Sequence, residues 1–548
     1  MKNNKQHIFL WSALLLLMAD LTLSCFINDV PAKASLLQHI VPYAALCMAV
    51  AALASFFPKS VLCIGLLCNN IALIYEAVVG LLQVVGMRPS RHSLFVLTGT
   101  FDNPGPYGGF VAITACMSLA YVLHNRRRFT YHWLKIYRRT KKTSLIFPLV
   151  LLYTSFAAAC FGLCVLPASM SRSGWIAFAV SALIASWPII QKVKFAQHRW
   201  FRFAASVVVI CALVGVWFVK RDSARGRIHI WRIEAMAISE HPLIGVGPGL
   251  EMGAYGIAQE NFFGNKERPL STIVAAGCPE YSFNEYLGIA MQGGIPALLL
   301  VLVVVVLSII RLRDNFYPAT GGLTAYAIFA FGSYPMSVPL LCIPLSVLLG
   351  LALSDTNTTT KISALTLAVA SCVALLILFP HIQKEKEAKA QWRMASFLGQ
   401  TEQYDRQIEA ILPLYPQLHH NFRYLYDLGY ALHKEQRIQE SDKYLSEGLR
   451  LSSDPMFLNI LGKNREVAGD DIAAEQYYQR SINRVPCRLY PRLLLIKLYK
   501  REKRVNDALK LAEESLILPV PERHNTMQDV HSQIINEVIE LKEGICNN

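Results

Sequence analysis

Over its first 380 positions the chain alternates long apolar blocks with short polar breaks, and after Pro380 the pattern turns to charged, amphipathic helix. The blocks lie at about 7–27, 36–58, 61–85, 105–124, 144–166, 173–190, 203–219, 284–310, 318–334, 336–354 and 362–381. Each is close to the ~20 residues a helix needs to cross a bilayer, so the pattern predicts about eleven spans. The expected fold is all-α: a polytopic membrane helical bundle over 1–382, with one large outer-face loop at 220–281, followed by an α-solenoid repeat domain over 383–548. The first block follows Lys2 and Lys5 but lacks a small-x-small cleavage site, and further blocks come after it, which reads as an uncleaved first span.

The polar C-terminal part repeats weakly. The stretches FRYLYDLGYALHKEQRIQESDKYLSEGLRLSSDP, MFLNILGKNREVAGDDIAAEQYYQRSINRVP and LYPRLLLIKLYKREKRVNDALKLAEESLILP follow one another. Gly429 recurs as Gly462, Tyr444 as Tyr477 and Ala474 as Ala508, while Pro455, Pro486 and Pro519 close the units. A period of 33–34 residues, two amphipathic helices with small residues where they cross, resembles tetratricopeptide repeats. Such repeats imply a docking or positioning role toward a protein partner.

Composition agrees with a membrane chain: of 548 residues, 53% are hydrophobic and only 17% charged. The net charge of +15 does not indicate a nucleic-acid binder, because the cations gather in short loops between apolar blocks. Lys2 and Lys5, then Arg126, Arg127, Arg128, Lys135, Arg138, Arg139, Lys141 and Lys142, then Lys192, Lys194, Arg199 and Arg202 all fall on one side by parity, the cytoplasmic one. The loops holding Asp102, Arg172 and Arg225 then share the outer face, and an odd span count puts the repeats there too. The 13 cysteines lie mainly inside apolar blocks without a C-x-x-C pair, so neither a zinc site nor a disulfide framework is expected. No metal or cofactor is expected.

Four segments carry candidate chemistry. GTFDNPGPYGGF at 99–110 is a turn-forming cluster, either a re-entry turn or the wall of a substrate cavity, and Asp102 is an acidic group at membrane depth. SMSRSGW places Arg172 at the start of the sixth span, as an interfacial snorkelling residue or a ligand contact. The outer loop carries Arg221, Arg225, Arg227 and Arg232, against the usual bias of cations inward, and Ile228–Ile238 has the spacing of an amphipathic surface helix. Arginines at headgroup depth suit a lipid-linked diphosphate. At the loop's end Asn284 and Glu285 open the eighth span, positioned to cap it, and Gly293, Gly294 and Pro296 loosen it.

In this order the segments GTFDNPGPYGGF, SRSGW, GRIHIWRIEAMAISEHPLIGVGPG and FNEYLGIAMQGGI resemble the O-antigen ligase and polymerase superfamily of bacterial membrane glycosyltransferases, over about residues 95–310. The resemblance implies a metal-independent enzyme that takes an oligosaccharide from an undecaprenyl-diphosphate donor at the outer face of the inner membrane. It places Arg172 and Arg227 on the diphosphate, with Arg225 able to share the task. One position departs: the ligase pattern has His immediately before the Asn of the last segment, and this chain has Phe283. An imidazole mechanism at that position is therefore excluded. Glu285 becomes the candidate base, ahead of Glu280, Tyr281 and His241, with Asn284 and Asp102 shaping the site. Expected partners are the lipid-linked donor and an acceptor that is lipid A core, a growing glycan or a protein hydroxyl, which correspond to a ligase, a polymerase and a protein O-oligosaccharyltransferase. A lipid-glycan transporter or an assembly scaffold is the non-enzymatic alternative, although the charges gather on one face and only Glu76 stands deep in a span.

Overall fold

The computed structural model describes residues 2–31, 33–125, 135–137, 139, 146–191, 200, 221–519 and 525–546, which are helical with no strand among them. Helices α1 (Lys2–Ile27), α2 (Lys33–Phe56), α3 (Pro58–Val84), α4 (Pro104–His124), α5 (Ile146–Val165) and α6 (Arg172–Ile190) precede the outer loop. That loop folds into α7 (Arg221–Glu240), α8 (Glu251–Gly264) and α9 (Leu270–Ala275). Then come α10 (Glu285–Asn315), α11 (Tyr317–Phe331), α12 (Pro339–Leu353) and α13 (Thr358–Gln400). Seven of these, α1 to α5, α10 and α13, carry segments long and apolar enough to cross a membrane, so this is a multi-pass membrane protein. The expected spans at 173–190, 318–334 and 336–354 appear as α6, α11 and α12, the last two of 15 residues each. The span expected at 203–219 lies outside the described residues, as do Arg126, Arg127, Arg128, Arg138, Lys141, Lys142, Lys192, Lys194, Arg199 and Arg202.

Two apolar cores organise the membrane part. One joins α3, α4, α5, α6 and α11 around Leu73, Tyr107, Val111, Ala158 and Phe329, and the other joins α1, α2, α10 and α12 around Leu10, Ala51, Val304 and Leu348. Glu76, buried on α3, is accounted for structurally: it accepts Thr100 N–H (3.0 Å) and Thr100 Oγ1 (2.5 Å), pinning the turn that leads into α4.

The glycines of the eighth span break it outright. Gly294 adopts φ +74, and Pro296 lacks the N–H that the helix would direct at the Gln292 carbonyl. The freed carbonyls are met by the loop after α7: Val246 N donates to Met291 O (2.7 Å) and Gly247 N to Gln292 O (3.0 Å), while Ile295 N reaches Pro242 O (2.8 Å). Gly245 seats this turn at φ +68, and a Cβ there would lie 2.4 Å from Met291 O. Gly245→Ala is therefore expected to lower stability by about 2 kcal/mol or more, through both the backbone conformation and the clash, read as a fall in Tm of the detergent-solubilised protein.

Beyond the membrane part, α13 continues unbroken for 43 residues, through Pro380 and across the expected 382/383 boundary. Its far end and α14 (Tyr404–Ile411) form a hairpin, followed by the pairs α15 (Phe422–Lys434) and α16 (Ile438–Leu451), α17 (Met456–Val467) and α18 (Asp471–Arg484), and α19 (Leu489–Arg501) and α20 (Val505–Leu516), with α21 (Asn525–Cys546) last. A left-handed residue turns each hairpin, at Glu402, Gln436, Gly469 and Lys503, which are 34, 33 and 34 residues apart. The first of these hairpins adds a unit ahead of the three visible in the sequence. Small residues sit where helices cross, with Gly429 against Leu445 and Gly462 against Tyr478.

The 221–284 segment between α6 and α10 is clamped to this helical array. Arg484, 1% exposed, donates through Nε to Glu260 on α8 (2.6 Å), and Arg480 reaches the other oxygen of the same carboxylate (2.9 Å). Ser453 Oγ donates to Pro279 O (2.7 Å), and Arg423 holds both oxygens of Glu280 (2.5 and 2.6 Å).

Candidate functional site

Arg172 is positioned by the packing of α4 on the start of α6. Ser171 caps α6, accepting from Gly174 N, and its hydroxyl donates to Gly105 O (3.1 Å). The helices approach so closely that a Cβ on Gly108 would stand 2.3 Å from Ser171 Cβ. The glycine-rich segment at 99–110 thus serves helix contact. Arg172 Nη2 donates to Ser223 on α7 (3.2 Å).

Arg227 comes from α7, the amphipathic helix anticipated in the outer loop. Its apolar face, through Ile233 and Ala237, packs on Tyr255, Ala258 and Phe262 of α8 and Met291 of α10, so protein rather than lipid covers it. Arg227 Nη1 donates to Ser173 Oγ (3.0 Å) and to the Gly332 carbonyl at the end of α11 (2.6 Å), an acceptor the helix leaves unused. The Phe283 ring lies 5.2 Å from the guanidinium carbon, so the residue standing where ligases have His braces this arginine by cation–π contact. Burial holds the Arg227 pKa down at about 10, and the neighbouring Arg172 charge adds to the depression. Among the described residues no carboxylate forms an ion pair with Arg227.

Both arginines line a cavity of about 650 Å³. Its remaining wall is mostly apolar, with Ile176 and Ile184 of α6, Ile309 of α10 and Ile328 and Phe331 of α11. Trp231 stands edge-on to Phe331 (5.5 Å) and keeps a buried indole N–H with no acceptor among the described residues.

One turn past Trp231, Glu234 is fully buried; among the described residues neither of its oxygens has a donor at hydrogen-bonding geometry, and the nearby Ser282 hydroxyl donates to Asn284 O instead (2.7 Å). Burial pushes its carboxyl up to about 8; Ser282 pulls the other way, and the Glu251 and Glu285 carboxylates push it further up. The sequence reading did not single out this group. The signal that reveals it is the spacing 227, 231, 234, which puts arginine, indole and carboxyl on one helix face.

The other candidates fall in different places. Asn284 caps α10, its Oδ1 accepting Tyr286 N (3.0 Å) and Leu287 N (3.3 Å). Glu285, next to it, accepts Met336 N (2.6 Å). Asp102 is 90% exposed and pairs with Arg91 at 3.6 Å, and Arg225 is exposed on α7; neither lines the cavity. Glu280 is held by Arg423, Tyr281 stacks on Tyr334 (4.8 Å), and His241 is exposed after α7.

Residues 156–302 match the family model described as O-antigen ligase, a stretch running from α5 through the outer loop into α10. It contains Arg172, Arg227, Glu234, Asn284 and Glu285. No curated protein matches the chain. Over this stretch, about a quarter of its length, the chain is similar to the O-antigen ligase family, in agreement with the order of segments and the helical membrane architecture.

Proposed function

We propose that the protein transfers an oligosaccharide from a polyprenyl-diphosphate donor to an acceptor hydroxyl at the outer face of a bacterial inner membrane. The observation that carries this reading is the cavity itself, in which two guanidiniums meet an apolar wall. A diphosphate would accept hydrogen bonds from Arg172 and Arg227, and an isoprenoid chain would cover the isoleucines. No metal is needed in this scheme, since the guanidiniums supply the charge. The family points in the same direction, toward a glycan-transferring membrane enzyme.

In the reaction the acceptor oxygen attacks the anomeric carbon and the bond to the diphosphate oxygen breaks, with inversion. The negative charge developing on the leaving diphosphate is stabilised by Arg172 and Arg227. The acceptor proton passes to Glu285, which Asn284 places at the head of α10. Arg225 and Asp102, both exposed, belong to the approach of the polar part of the donor. On the sequence's count of eleven apolar blocks, the C-terminal helices would lie on the same outer face. We read those helices as tetratricopeptide-like, a domain over 383–548 that positions the acceptor or a protein partner, and the recurrence of the left-handed turns supports this.

The test is deletion in a host that makes lipid-linked glycans, with complementation by wild type and Glu285→Gln, and comparison of lipopolysaccharide ladders with glycoprotein blots. Loss of long sugar chains from lipopolysaccharide alone identifies a ligase or polymerase, and loss of glycoprotein signal alone a protein O-oligosaccharyltransferase. No change in either would overturn the enzymatic reading.

Glu234 gives a separate, pH-resolved expectation. A carboxyl raised in the fold to about 8 from its ordinary value of 4.5 contributes stability fully present below pH 4.5 and lost as pH rises through 8. The loss is on the order of 5 kcal/mol. Tm should therefore fall across this window in the wild type, and Glu234→Gln should flatten the slope. An unchanged slope in the variant would mean that Glu234 is not the group holding the proton.

A further inference from the structure

A line of aromatic rings leads away from Arg227. The guanidinium rests on Phe283, Tyr334 meets Phe283 edge-on at 5.3 Å, and Tyr281 stacks on Tyr334 with their planes 10° apart. The next residue back, Glu280, forms the near rim of a second cavity, of about 330 Å³, between the outer loop and the C-terminal helices. Its floor is aromatic, made by Trp392 of α13, Phe422 and Tyr426 of α15 and Phe457 of α17. Its rim is polar: Arg423 bonds both oxygens of Glu280, Asp427 accepts from Trp392 Nε1 (2.9 Å), and Asp454 pairs with Arg488 at 3.7 Å.

We propose that this cleft binds the outer sugars of the lipid-linked donor, as an uncharged oligosaccharide running from the diphosphate along the aromatic line. The assignment rests on the reading of the arginine cavity given above and adds to it where the glycan goes. Ring faces offer flat, electron-rich surfaces for the apolar C–H faces of sugars, and the carboxylates and guanidinium offer directional partners for their hydroxyls. An apolar peptide side chain would bury those charges without replacing their water. With Glu280 paired to Arg423 and Asp454 to Arg488 (3.7 Å), Asp427 is, among the described residues, the rim carboxylate left facing the cleft without a cation, and it opposes an anionic chain. Continuity does the rest: the same loop that supplies Phe283 and Tyr281 to the line is fixed to the C-terminal helices through Glu280 and Pro279, so cleft and arginine cavity are held in one register.

The experiment uses the full-length protein in nanodiscs and three probes: polyprenyl diphosphate, the same lipid carrying a neutral tetrasaccharide, and a Ser/Thr-rich peptide, with affinity read by thermophoresis. The tetrasaccharide is expected to tighten binding about tenfold over the bare lipid, the worth of one or two good ring contacts. Tyr426→Leu should abolish that increment while leaving the bare lipid unaffected. Asp427→Asn, which keeps an acceptor for Trp392, should reduce the increment in a protein whose helix packing is intact. Equal affinity for both lipids, or an equal loss for both in the two variants, overturns the cleft assignment while leaving the arginine cavity standing. Failure of either lipid to bind overturns the cavity reading itself, and with it the donor assignment. Binding of the peptide, lost in Tyr426→Leu, assigns the cleft to protein and overturns the sugar proposal.

Discussion

Arg227→Ala is expected to lower the rate of glycan transfer by about 10³, the scale of losing a preorganised charge at the site where charge develops. Arg227 Nη1 is committed to Ser173 and Gly332, which fixes the plane of the guanidinium before any ligand arrives. Burial and the nearby Arg172 disfavour the charged form of Arg227, and on the proposed reading a diphosphate would relieve that penalty most as its charge increases. The loss should therefore appear in kcat as well as in KM. Arg227→Lys keeps the charge but cannot hold Ser173, Gly332 and a phosphate oxygen in one plane, and should recover only a small part of the rate. An assay with purified protein and lipid-linked donor decides this. Full activity of Arg227→Ala would remove the arginine from the mechanism.

The second large effect concerns assembly. Arg484→Ala should destabilise the contact between outer loop and C-terminal helices by about 3–5 kcal/mol, because Glu260 is left buried with only the half-exposed Arg480 as a partner. Limited proteolysis should then cut the connection after α8 faster, and the thermal transition should broaden or split. Combining Arg484→Met with Glu260→Gln removes both charges and should restore most of the loss. If the double variant is as unstable as Arg484→Ala, the ion pair is not what holds the contact.

How much of this was legible depended on range. The apolar blocks specify membrane helices because the lipid demands ~20 apolar residues each, and α1 to α5 follow them closely. Arg172 and Arg227 stood out because the parity of the apolar blocks put them on the outer face, where cations run against a strong bias. Asn284 was readable as a cap because capping is local. Glu234 was not apparent, since one carboxylate on an amphipathic helix ordinarily belongs to the wet face, and only the packing of α7 on α8 and α10 turns it inward. Gly332, Tyr334 and Met336 reach the site from a short connection after α11, remote in sequence from Arg227 and Glu285, and no local pattern announces that meeting. Pro380 reads as a helix breaker, yet a proline removes only one backbone bond, and α13 carries on through it.

That continuity makes α13 a drive shaft. Its 43 residues span about 65 Å, one end packed along α2 and the other presenting Trp392 to the cleft. Each residue advances the helix by about 100°, so the azimuth of everything beyond the bilayer is geared to the azimuth within it. Lengthening the shaft by seven residues after Pro380 would raise the C-terminal array by about 10 Å with nearly the same heading, whereas two residues would swing it to the far side.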